Sequence, residues 1–275
     1  MKRTDDIDDI DDIDDPRRML LIRALTAGLL GITAAGSQAV TFGLFGSKPR
    51  KLPPGQSIYG LSGQVMVNEK EATLATQIKP GDTVQTARDS EVVFVVNTHS
   101  MILRGDSKLV IEPPDNTTES LIIGGLRMLS GKLLSVSRNS PMKLVSSTAT
   151  IGIRGTGFYI EADPERTYFC TCYGATEVQA TADPTSRETI AARHHDRPVY
   201  IVTDGGAGNN IRNAPFVNHT DQELSLIETL VGRRTPFVFS NDVYTGPRRT
   251  YLSRMPVFGT RANPAAILAR RSQSS

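Results

Sequence analysis

The chain has no tryptophan, two cysteines and four histidines among its 275 residues, and its charges nearly cancel at a net +2. Near-neutrality, with no basic stripe interleaved with aromatics, excludes nucleic acid as a partner class. Two cysteines cannot build the disulfide framework of a small secreted scaffold, and neither a C-x-x-C nor an H-x-x-x-H spacing occurs. The chain also lacks a G-x-S-x-G nucleophile turn, an H-E-x-x-H helix and a carboxylate pair spaced for acid–base work, so the sequence reads as non-enzymatic. What it does contain is a 39% apolar fraction, enough for a core, with 23 Gly and 16 Pro to punctuate it. That balance points to short strands joined by turns.

The richest stretch is Ala149 to Gly174, ATIGIRGTGFYIEADPERTYFCTCYG. Thr150 to Glu161 is β-branched and aromatic, with glycines where a neighbouring backbone approaches closely. Asp163-Pro164-Glu165-Arg166 suits a type I turn, Pro presetting φ and Asp bonding the backbone. Thr167 to Tyr173 then alternates, so Cys170 and Cys172 project from one face of the second arm of a hairpin.

These residues resemble the signature of the FecR domain, the periplasmic module of the iron-dicitrate transport regulator. Thr150, Gly152, Arg154, Gly155 and Thr156 carry the match. Gly81-Asp82, Val92 to Val96 and Leu129 to Val136 fall in the same order ahead of it, so the resemblance spans roughly residues 60 to 180. It implies a stacked β-roll or solenoid and a binding or sensory role in the cell envelope, toward an unidentified envelope protein or glycan. Family regulators carry a cytoplasmic domain ahead of a membrane helix. Here only 23 residues, eight of them Asp, precede the uncharged run, so direct sigma-factor binding is not expected. Arg154 could hold an anionic ligand, but pairing with Glu161 or Glu177 across strands is the simpler expectation.

Along the chain, residues 1–39 combine an acidic low-complexity repeat (DDIDDIDDIDD) with an export segment. Arg17-Arg18-Met19-Leu20-Leu21 leads into an uncharged run from Ala24 to Gly46. It reads as a signal peptide cut after Ala39, of ordinary or twin-arginine type, or as an uncleaved inner-membrane anchor within residues 19–46. Either outcome places the remainder in the periplasm. A Pro-rich basic linker follows over 40–59 and the FecR-like β domain over 60–204. The extension 205–240 holds a helix over 221–231, begun by the capping box Thr220-Asp221-Gln222-Glu223 and expected to lie on the sheet as a lid. Residues 241–275 form a basic tail that reads as mobile. The fold class is therefore all-β: a stacked roll, solenoid or sandwich of many short strands with one short C-terminal amphipathic helix. Strands are expected at 63–68, 83–86, 91–97, 101–104, 108–112, 121–123, 126–129, 132–137, 142–146 and 198–203 besides the hairpin.

The thiols leave three chemistries open: two small buried core residues, a redox or disulfide pair, or ligands for zinc or iron. Histidine placement favours the last. Cys170 and Cys172 with His219 and one of the adjacent His194 and His195 would make a Cys2His2 set, since neighbours on a strand face opposite ways.

Overall fold

The computed structural model describes residues 49–114, 122–138 and 141–236. The acidic repeat, the stretch read as a signal peptide or membrane anchor, and the basic tail lie outside these residues. Among the described residues no helix is long and apolar enough to cross a membrane.

The fold is all-β with one short helix, in one open sheet of fourteen strands. In chain order these are β1 (Ile58–Ser62), β2 (Val65–Val67), β3 (Lys70–Glu71), β4 (Thr83–Thr86), β5 (Glu91–Val96), β6 (His99–Leu103), β7 (Lys108–Glu112), β8 (Gly125–Val136), β9 (Met142–Val145), β10 (Ala149–Ala162), β11 (Arg166–Ala180), β12 (Arg187–Ala192), β13 (Val199–Val202) and β14 (Ile211–Asn213), with the helix α1 at Asp221–Leu230.

Three long strands belong to both halves of the sheet. β8 pairs over its first half with β7 and, in parallel, with β9, and over its second half with β6 and β10. β10 runs antiparallel to β11 along its length, with a register shift between Arg154 and Gly157, where Gly155 takes a φ of 67°. There the strands turn from one half into the other, and β11 passes from β13 to β12 as its partner.

Alternation along the strands builds two cores. Val92, Phe94, Met101, Leu103, Leu133, Phe158, Ile160 and Phe169 point into the main one. Their neighbours Val93, Val95, Ile102, Leu134, Tyr159, Cys170 and Cys172 point the other way, into a second cluster closed by Leu224, Leu226, Ile227 and Leu230 of α1. Runs such as EVVFVV are therefore apolar on both faces. Each helix leucine or isoleucine so buried contributes about 2 kcal/mol. The capping box expected at Thr220 is present, with Glu223 returning the bond, and the helix ends one residue before Val231.

Several elements differ from expectation. β8 is one strand, where a break at Gly131 was expected: its partners change there instead, from β7 and β9 before the glycine to β10 and β6 at and beyond it. Ile122 and Ile123 form no strand. Ile123 is instead buried as a plug, and Gly124 makes a single backbone bond to Glu112. β11 continues to Ala180, and β12, in a stretch read as loop, is its edge partner. β1 starts inside the stretch read as linker, where Leu52 also donates its N–H to Leu230 O at 2.9 Å and packs beside α1. The helix lies on the sheet as expected, while β14, within the extension 205–240, adds an unexpected strand beside β13.

Candidate metal centre

Two alternate positions on β11 put the Cys170 and Cys172 side chains on the face that α1 covers. The bend after β12 supplies His195, whose N–H bonds to Cys172 O at 2.8 Å and whose φ of 52° turns the imidazole inward. The loop entering α1 supplies His219. The four side chains are buried, and one ligand atom from each lies within 4.8 Å of all the others.

The contacts are those of a cage. Cys170 Sγ is 3.4 Å from His195 Nδ1, Cys172 Sγ is 3.4 Å from His219 Nε2, and the two imidazole nitrogens are 3.1 Å apart. Zinc bonds of about 2.3 Å to sulfur and about 2.0–2.1 Å to nitrogen, set tetrahedrally, give edges of about 3.3 Å for N–N, about 3.6 Å for N–S and about 3.8 Å for S–S. The N–N contact and the two N–S contacts above are close to those spacings.

The outer nitrogen of each ring is already committed. His219 Nδ1 donates to Val217 O at 2.7 Å, and His195 Nε2 donates to Asp221 Oδ1 at 3.0 Å. Those bonds fix both tautomers, so the neutral rings turn lone pairs toward each other and toward two sulfurs. A positive species has to sit between them, either a proton or a metal ion. Backing a histidine ligand with a carboxylate or a backbone carbonyl is how metal sites orient imidazoles.

Without a metal, burial opposes ionisation of Cys170, but the bond from Cys172 and the two imidazoles hold its thiol well below the ordinary range. Burial and then Cys170 itself push Cys172 well up. Burial disfavours a charged His195, yet the Cys170 thiolate and Asp221 raise it to about 9, while burial lowers His219. Burial likewise opposes the Asp221 carboxylate, but bonds from His194 and His195 hold it below the usual carboxylate range.

Of the adjacent histidines, His195 joins the thiols and His194 does not. They do not face opposite ways, however, because they lie in a bend beyond β12: His194 Nε2 bonds Asp221 Oδ2 at 2.8 Å, so one carboxylate holds both rings. Around them Tyr159 stacks on His219 at 4.5 Å, and Phe216 packs on both His195 and His219.

The signature residues lie elsewhere. Thr150, Gly152, Arg154, Gly155 and Thr156 follow β10 up to its bulge, and none is in the cluster. The Arg154 side chain is 71% exposed and pairs with Glu177 at 3.5 Å, the cross-strand role expected of it.

Sequence reasoning missed Asp221, read only as part of a cap, although its place two residues after His219 was a usable signal. It also missed two buried ion pairs that hold α1. Arg104 on the sheet meets Glu223 at 2.7 Å and lies over the Tyr159 ring. Glu228, fully buried, accepts from Tyr173 Oη, Arg138 and Arg233. No spacing rule links residues so far apart in sequence.

No family model matches the chain, and no curated protein does. Among solved structures, two crystal structures of a "putative anti-sigma factor" from Parabacteroides distasonis ATCC 8503, at 1.65 and 2.50 Å resolution, align with 14% identity and a TM-score of 0.37. The alignments cover 48% of this chain and 58% of the length of that protein.

Proposed function

We propose that this chain is a metal-holding binding or sensory module of the cell envelope, with one zinc ion bound by Cys170, Cys172, His195 and His219. The observation that carries the metal is the geometry of the cage: four buried donors within 4.8 Å of one another, with both imidazoles anchored from behind. Four protein ligands leave no position for water or substrate, which is the pattern of structural zinc and supports a non-enzymatic role. Two thiolates with two imidazoles suit zinc better than the harder oxygen-seeking cations, and ferrous iron is the competing ion. The envelope setting rests on the FecR-like run Thr150 to Thr156 and on the export segment. A periplasmic ligand or partner would bind outside the cage.

A redox pair is the competing chemistry. Joining the thiols as a disulfide would have to bring the sulfurs to about 2.05 Å, and neighbours i and i+2 on an extended strand sit at the far limit of disulfide geometry. Elemental analysis of purified protein separates the readings. One zinc per chain is expected, together with a cobalt-substituted form that shows thiolate-to-metal absorption and is lost in Cys172→Ser. Metal-free protein whose two thiols titrate freely after unfolding would overturn the proposal, and one iron per chain would reassign the ion.

A further inference from the structure

The four donors divide unequally between the parts of the fold. Cys170 and Cys172 lie in the middle of β11, and His195 is tied to that strand by its backbone bond to Cys172 O. Only His219 comes from the loop that leads into α1. We infer that the metal is a latch: three ligands belong to the sheet, and the ion fastens α1 over the second apolar face directly through His219, with His195 reaching the helix only by its bond to Asp221. This rests on the zinc reading above and deepens it.

The rest of the helix attachment fits that division. Toward the C-terminal end of α1, Glu228 is gripped by Arg138 at 3.0 Å and Arg233 at 2.6 Å, and Leu52 caps the last turn, all independent of the cage. At the N-terminal end Arg104 binds Glu223 and donates to Asn218 O, while His194 and His195 bind Asp221. The first turn and the loop from Ala214 to Thr220 are thus held largely around the cage, and the last turn is held elsewhere. The ligand atoms are buried, so an ion can enter or leave only when a covering segment opens, and the loop that carries His219 is the one the ion itself ties down. A three-ligand site with an open fourth position is itself a stable arrangement for zinc, which lets the sheet keep the ion while α1 is raised.

Hydrogen exchange on the full chain, with zinc bound and after chelation, reads the latch directly. If opening breaks the fourth bond, removing free metal held at about 100 times its dissociation constant makes opening up to about 100-fold more frequent. That loss of protection should fall on residues 219–224 and spare the amides of β10 in the main core. His219→Ala supplies the second reading: it should still bind one cobalt ion, more weakly, and take imidazole into the open position. Cys170→Ser and Cys172→Ser should abolish binding. Equal protection of α1 with and without metal, in a sample shown to have held one zinc, would overturn the latch and leave the zinc reading standing. So would His219→Ala losing its metal as completely as Cys172→Ser while retaining a β-rich circular dichroism spectrum. Absence of metal from wild-type protein would remove both.

Discussion

His99 opens β6 with its side chain buried and its Nδ1 without a hydrogen-bond partner among the described residues. Burial, and next the guanidinium of Arg233, hold its imidazole down to about 4 from an ordinary 6.5. A histidine depressed on folding stabilises the fold above its unfolded value, and that contribution disappears as pH falls through its folded value. Stability should therefore decline from about pH 6.5 to about pH 4 by up to ~3 kcal/mol on account of this residue. Urea unfolding at a series of pH values should give a shallower decline for His99→Leu, and parallel curves would show that His99 does not titrate as stated. At this scale the sequence was informative wherever residues were rare. Two cysteines on one face and three histidines downstream define the cage with only His194 and His195 to choose between. It was silent on Glu223 and Glu228, because a carboxylate on a helix looks solvent-facing until its partner is known to lie 119 or 90 residues earlier, as Arg104 and Arg138 do.

Gly131 lies inside β8 with a φ of 87°, and a Cβ there would come within 2.1 Å of Ser107 Oγ and 2.5 Å of the Ser107 Cα. Gly81 has a similar φ of 95° but nothing within 4 Å of its would-be Cβ. Gly131→Ala should accordingly cost about 2–4 kcal/mol and Gly81→Ala about 1 kcal/mol, since only the first adds a backbone clash to the strain. Denaturant midpoints with unchanged slopes would separate them, and equal losses would mean that the Ser107 backbone yields easily. The same glycine explains why β8 was read as two strands: a left-handed residue usually ends pairing, but here the strand runs on and exchanges β7 and β9 for β6 and β10. Strands with strong local patterns, such as β5 and the β10–β11 hairpin, were legible. β12 was not, because RETIAA buries only Ile190 and Ala192 and its pairing depends on the unforeseen length of β11.

For the whole molecule, composition and turn spacing were enough for the all-β class, but not for the way three long strands serve both halves of a single sheet. That arrangement arises from register, and register depends on contacts between distant segments. Location is a whole-molecule property too, and lysine at positions 17 and 18 tests it. The double replacement keeps the positive charge an ordinary signal needs and removes the paired guanidinium groups of a twin-arginine signal. Lost export, seen by fractionation, would identify the folded route. Unchanged export would identify the general one, and full-length protein in the cytoplasm in both forms would remove the envelope assignment.

The ligands also have an order in time. Cys172 precedes His219 by 47 residues, and at about 5–20 residues per second a ribosome needs several seconds to cover that distance. During that interval both thiols have been made and the cage cannot close. A chain cut short between Asn213 and His219 would carry the strands of the main core but present two unguarded sulfurs on an uncovered apolar face, chemically distinct from the finished protein. Burial of Cys170 and Cys172 under α1 therefore requires the polypeptide to be complete through the helix.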